Sequence, residues 1–166
     1  CYDCVRWEKQ GSALEKNHSL YAYNAYMKEL LALFKYRGDY AIVECFAEEL
    51  RVMLSGIEAD YVVPIPLSKE RLHERRFNQS EALILAAGLL PTHLLTRTHS
   101  EKQSKKSRKH RMKPVTIFQF DTHFSIKNKE IILVDDIYTT GSTLHQAAEI
   151  LQREGAKSIK SVTIAR

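Results

Sequence analysis

No stretch of this chain is long and apolar enough to cross a bilayer. The longest uncharged apolar run, Ala82 to Leu90, is about half of the ~20 residues that a spanning helix needs. No membrane insertion is expected. Cysteine is scarce, three in 166 residues, with no pattern of paired spacings that would announce a disulfide framework. That usage suits a reducing cytoplasm. Internal repeats and low-complexity linkers are also missing, and the length is enough to bury one core, so the bulk of the chain reads as one domain.

Acid is missing from one segment in particular. Between Arg97 and Lys113 a single acid, Glu101, stands against eight lysines and arginines, among them Lys105, Lys106, Arg108, Lys109 and Arg111. The segment carries +7 of a total of +5, which leaves −2 for the rest. Such a block reads as an arm or loop that meets an anion, polyphosphate or nucleic acid. Aromatic residues for stacking bases are absent between Arg97 and Val115. Any nucleic-acid contact there is expected to be electrostatic and largely independent of base sequence. Two other readings stay open: a flexible hood closing over a ligand, and a plain solvated loop.

What is present alternates between strand and helix. Residues 1–19 are polar and read as irregular. Asn24 to Tyr36 has helical spacing, Arg37-Gly38-Asp39 reads as a turn, and Tyr40 to Leu54 resumes the helical period. Cys45 in that second run is expected to be a buried small hydrophobe. Asp60 to Pro66 reads as a buried parallel strand ended by two prolines. Ser68 to Arg76 is a short charged helix or turn, and Asn78 to Gly88 an amphipathic helix. Short strands are expected at His93 to Thr96 and Val115 to Phe120. Glu130 to Val134 is a strongly apolar strand, Ser142 to Glu154 a helix, and Ser158 to Ala165 a last strand. This order predicts βαβ units, hence an α/β fold with a parallel sheet flanked by helices.

The most informative segment is Ile131-Ile132-Leu133-Val134-Asp135-Asp136-Ile137-Tyr138-Thr139-Thr140-Gly141-Ser142-Thr143. An apolar strand delivers two adjacent carboxylates, a hydroxyl-rich turn follows, and a helix begins. In open α/β sheets, ligands bind where strands end and helices start. Unpaired N–H groups at the helix start attract a phosphate, and Thr139, Thr140, Ser142 and Thr143 add hydroxyl donors. Gly141 admits close backbone approach. Asp135 and Asp136 would repel a phosphate but suit two vicinal sugar hydroxyls. A sugar 5-phosphate satisfies both halves. The plain alternative is an acidic strand end before a Ser/Thr-capped helix, but a cap needs one hydroxyl and neither carboxylate. The lysine of a Walker loop is missing, which disfavours a nucleotide triphosphatase.

This run resembles the phosphoribosyl pyrophosphate (PRPP) signature of type I phosphoribosyltransferases, whose fold is a parallel sheet with a small hood. The resemblance implies that Asp135 and Asp136, in the catalytic position, hold the ribose hydroxyls, and that Tyr138 to Ser142 wrap the 5′-phosphate. It also implies Mg²⁺ bridging PRPP oxygens, as suits a hard cation. A second pattern, Val63-Pro64-Ile65-Pro66-Leu67, then Arg71, then Arg75-Arg76-Phe77-Asn78-Gln79, is similar to the ComF (ComFC/GntX-like) competence family. Ile65, Pro66 and Leu67, with Arg71 and Arg75, match the place where the fold meets pyrophosphate. An exposed helix balanced by Glu70 and Glu74 is the alternative for the arginines.

The likeness runs from about residue 20 to the end. Family members carry a four-cysteine zinc module ahead of it. Residues 1–19 then read as its remnant and a linker, with Cys1 and Cys4 as half of a Zn²⁺ site, and 20–166 as the phosphoribosyltransferase-like domain. In the remaining ligands' absence a free pair is the plainer reading. Two positions depart from the pattern. Arg76 stands where glycine is usual, so the turn is expected to do without glycine's free φ and to take another shape. Lys106 replaces the usual apolar residue between Gln103 and Arg111. The resemblance implies a cytoplasmic role in DNA uptake and natural transformation, with single-stranded DNA, a DNA-translocating helicase and a recombination mediator as partners. An active phosphoribosyltransferase of nucleotide salvage and a non-catalytic PRPP-binding adaptor are the alternatives.

Overall fold

A computed structural model describes residues 2–9, 11–36, 40–97 and 117–166. In chain order these form α1 (Tyr2–Lys9), β1 (Lys16–Tyr21), α2 (Ala25–Tyr36), a 3₁₀ turn (Tyr40–Phe46), α3 (Ala47–Ser55), β2 (Tyr61–Pro64), α4 (Lys69–Arg75), α5 (Gln79–Ala86), β3 (Leu95–Arg97), β4 (Phe118–Phe120), β5 (Glu130–Ile137), α6 (Ser142–Arg153) and β6 (Ser158–Ala165). Four strands make one sheet in the order β1-β6-β5-β2, and every pairing in it is parallel.

The central strands are apolar on both faces because both are covered. Ile131 and Leu133 of β5 pack with Leu144, Ala147 and Leu151 of α6. Ile132 and Val134, one residue out of phase, pack with Leu31 and Phe34 of α2, Leu50 of α3 and Leu83 of α5. This period of two places the core in two layers around a single sheet. Because the strands run parallel, Pro64, Ile137 and Ala165 all end at the same edge. Hydrogen bonds from Ile65 N–H to Val134 O (3.0 Å) and from Tyr138 N–H to Ala165 O (2.9 Å) carry the ladder into the loops there.

The parallel α/β sheet matches expectation, and several local readings do not. Residues 1–19 are not irregular: they contain α1 and most of β1, which pairs with β6 from Lys16↔Lys160 to Tyr21↔Ala165 and crosses position 19/20. Its sequence shows no apolar alternation, since this edge strand is held by the ladder and by polar pairs. Ser161 Oγ donates to Asn17 Oδ1 at 2.7 Å, and the Ser19 and Thr163 hydroxyls are 2.8 Å apart. Tyr40 to Leu54 is not one helix but the 3₁₀ turn followed by α3. The tighter winding re-aims its side chains, so Val43 and Phe46 are buried while Cys45 is exposed, against the buried reading. Strands β3 and β4 form a separate antiparallel ribbon, Leu95↔Phe120 to Arg97↔Phe118, packed through Leu95 and Phe118 on the α6 side. Arg76 overturns its expectation too. It takes φ 67°, ψ −9°, the left-handed cap that glycine would supply, and donates its N–H to Leu72 O. The turn at Arg37-Gly38-Asp39 lies outside the described residues, as do Val115 and Thr116.

Candidate functional site

The helix start of α6 is built around Gly141, which sits at φ 77° as its N-cap. A Cβ there would strike the Tyr138 hydroxyl and ring and lie 2.9 Å from His145 Cδ2, so glycine is required by both backbone and space. Thr139 and Thr140 are exposed, and Ser142 and Thr143 are half-buried. The Thr140 and Ser142 hydroxyls stand 2.9 Å apart. Tyr138 is turned inward, its hydroxyl 3.0 Å from His145 Nε2. Among the residues expected to wrap a phosphate, the threonines and serine therefore present hydroxyls, whereas Tyr138 supports the turn from beneath.

The two carboxylates lie at the end of β5, immediately before this turn, and have different neighbours. Asp135 accepts from Ser80 Oγ at 3.2 Å and from the Asp136 N–H at 2.9 Å. Burial, and then the negative charge of Asp136, push its carboxyl up to about 7. Asp136 is buried, and Lys35 Nζ of α2 approaches its Oδ2 to 2.5 Å. That contact is one of charge, without hydrogen-bond alignment.

The second loop arrives from β2. Ile65 is buried, Pro66 and Leu67 are half-buried, and the Ile65 carbonyl accepts from Asn78 Nδ2 at 3.1 Å. Ser68 then caps α4 by accepting from Arg71 N–H at 3.3 Å. Arg71 is exposed. Arg75 is half-buried and donates to Gln79 Oε1 at 2.9 Å. Arg97, at the end of β3, was counted with the basic segment rather than with this edge. Burial and the nearby positive charge of Arg71 lower its pKa, while Asp135 acts in the opposite sense. The charges of Arg71 on α4 and Asp135 on β5 are thus both felt at Arg97. Lys35 and Ser80 were missed as well. Their only sequence signals were position, Lys35 in the last turn before the Arg37 break and Ser80 just inside α5.

The fold brings together the β5 end, the α6 start and the β2 loop. Lys105, Lys106, Arg108, Lys109, Arg111 and Cys1 lie outside the described residues; Cys4 is placed as backbone in α1. Among the described residues no group of three His, Cys, Asp or Glu side chains could hold a metal ion, so a cation at this edge would take much of its coordination from a ligand. A cavity of about 540 Å³ opens beside the turn, bordered by Trp7, Ser12, Asn17, Tyr138, His145 and Arg166. Neither carboxylate lines it. The phosphate-site assignment rests on the strand end and helix start, not on this cavity.

Three comparisons bear on this geometry. Residues 87–166 match the phosphoribosyl transferase domain family. The chain is 42% identical over its whole length to the competence protein ComFC of Bacillus subtilis, covering 72% of that protein. It is 34% identical, again over its whole length, to the competence protein ComFC of Streptococcus pneumoniae, covering 74% of it. Among solved structures, the allosteric regulatory enzyme of purine biosynthesis aligns with a TM-score of 0.50 and 19% identity, over 73% of this chain and 25% of that one. That likeness concerns the fold alone. No described helix is long and apolar enough to cross a membrane.

Proposed function

Because the chain belongs to the ComFC family of competence proteins, built on the phosphoribosyltransferase fold, we propose that it binds PRPP at the carboxyl edge of its sheet and serves DNA uptake and natural transformation in the cytoplasm. The observation that carries the ligand assignment is the pairing of Asp135 and Asp136 with a left-handed Gly141 at the start of α6. Amides of the first turn, with the hydroxyls of Thr139, Thr140, Ser142 and Thr143, receive the 5′-phosphate. The carboxylates accept from the ribose hydroxyls. Ile65, Pro66 and Leu67 face the pyrophosphate, with Arg71, Arg75 and Arg97 offsetting its charge.

Mg²⁺ fits this donor set, two carboxylates plus the ligand's own oxygens, and when bound it offsets the pyrophosphate charge. Cys1 and Cys4 are proposed as half of a Zn²⁺ site, which metal analysis of the purified protein checks. The segment from Arg97 to Lys113 meets single-stranded DNA, with a helicase and a recombination mediator as protein partners.

Calorimetry with PRPP and Mg²⁺ tests the ligand. Binding should be abolished in Asp135→Ala and in Asp136→Ala, and unchanged affinity in both removes the assignment. Pyrophosphate release across a panel of nucleobases then separates a transferase from a non-catalytic adaptor. For DNA, log affinity should fall with log salt at about −0.7 per neutralised phosphate, and replacing Lys105, Lys106, Arg108 and Lys109 by Ala should flatten that slope. A slope that stays the same places the DNA elsewhere.

A further inference from the structure

The turn at the start of α6 is gripped from outside by the N-terminal helix. Trp7 Nε1 donates to the carbonyl of Thr140 at 2.8 Å, and Arg6 donates to the same oxygen at 3.3 Å. The Trp7 ring lies flat on His145, with centroids 4.0 Å apart and planes 12° from parallel, while the Arg6 guanidinium sits 4.7 Å from the centroid of the Trp7 ring. His145 is itself fixed from two sides, its Nδ1 2.5 Å from Ser12 Oγ and its Nε2 3.0 Å from the Tyr138 hydroxyl.

This contact sets more than packing. The Thr140–Gly141 peptide is planar and trans, so its C=O and N–H point in opposite directions. Holding the Thr140 carbonyl toward Trp7 turns the Gly141 N–H away from α1. A glycine leaves such a peptide free to flip, because both of its backbone basins are accessible. Something outside the turn has to choose. We infer that α1 is a latch on the phosphate loop, in which Trp7, seated on His145, is the positioning residue that aims the Gly141 N–H at the ligand.

The inference rests on the reading of this loop as a phosphate site. It makes α1 and the loop one thermodynamic unit: whatever displaces the helix weakens the hold on the phosphate, and by linkage phosphate binding tightens the helix by the same factor. The cavity bordered by Trp7, Ser12, Tyr138 and His145 gives the latch room to move.

Trp7 is the sole tryptophan of the chain, so intrinsic fluorescence reads the latch without modification. Titration with Mg²⁺–PRPP or ribose 5-phosphate should change Trp7 emission to saturation, and pyrophosphate alone should not. Trp7→Phe keeps an aromatic ring on His145 but removes the donor. By calorimetry it should weaken PRPP and ribose 5-phosphate alike, about five- to tenfold, as one lost hydrogen bond would, with pyrophosphate affinity unchanged. If the unmodified protein binds PRPP while Trp7 emission stays still, or if folded Trp7→Phe binds PRPP equally well, the latch is refuted and the phosphate site stands. If the unmodified protein binds neither sugar phosphate, the site assignment fails and takes the latch with it. The emission measurement needs no variant, so it decides the matter even if Trp7→Phe does not fold.

Discussion

Lys35 Nζ and Asp136 Oδ2 meet at 2.5 Å between the last turn of α2 and the end of β5, with both side chains largely buried. A buried carboxylate without a counter-charge is costly, so this contact ties the end of α2 to the sheet edge. Lys35→Met should destabilise the fold by about 3 kcal/mol, read as a lower urea midpoint. Adding Asp136→Asn should return part of that loss. A double variant as unstable as the sum of the singles would show that the two groups do not interact.

Asp135 should govern how ligand binding responds to pH. Its carboxyl is pushed up to about 7 by burial and by Asp136. The folded chain therefore keeps this proton to higher pH than the unfolded chain. The group's contribution to stability is present below the ordinary carboxylate pKa and is lost as pH rises towards 7. Sugar hydroxyls donate to the ionised form, so binding of Mg²⁺–PRPP near pH 6.5 should release a proton, on the order of half to one equivalent. Calorimetry in buffers of different ionisation enthalpy measures it. Asp135→Asn should abolish the release, and a wild-type protein that releases none would contradict the assignment.

His145 runs the other way. Burial, then the nearby Arg6 charge, lowers its pKa to about 4, while Trp7, Ser12 and the Tyr138 hydroxyl pack around the ring. The neutral ring is the folded form. Its contribution is complete above the unfolded value near 6.5 and is lost as pH falls through the window down to 4, at up to about 1.4 kcal/mol per pH unit. His145→Gln should remove the fall in urea midpoint that this ring contributes across that window, and Asp135→Asn, which removes an opposing contribution over much of the same range, should steepen it. The opposite signs of the two groups keep them separable.

Arg76→Gly should stabilise the protein. Arg76 holds φ 67°, where a Cβ costs about 1 kcal/mol of steric strain that glycine avoids, more than glycine's added loss of backbone entropy on folding. The melting temperature should rise by about 2–4 °C. A fall would mean that the arginine side chain contributes more than its backbone strain removes.

The sequence made some of this legible and hid the rest for identifiable reasons. β5, α6 and the turn between them stand out because an apolar run, two acids, a glycine and a helical period occur in unbroken order. β2 was marked by its β-branched residues and prolines. β1 was hidden because Lys16, Asn17 and Ser19 give an edge strand no apolar rhythm, and its partner β6 is 144 residues away. Cys45 was misjudged because a 3₁₀ turn and an α-helix share local composition but aim side chains differently. The hold of Trp7 on Thr140 spans 133 residues and uses a backbone carbonyl, which leaves no trace in side-chain pattern. Arg76 shows that the backbone shape usual for glycine can persist when the glycine does not.

The most direct test of the central claim is a crystal structure with PRPP and Mg²⁺. The account predicts the 5′-phosphate against the first-turn amides and hydroxyls of residues 139–143, and the ribose hydroxyls at Asp135 and Asp136. A phosphate seated elsewhere, for example in the cavity beside Trp7, with those carboxylates untouched, would contradict it.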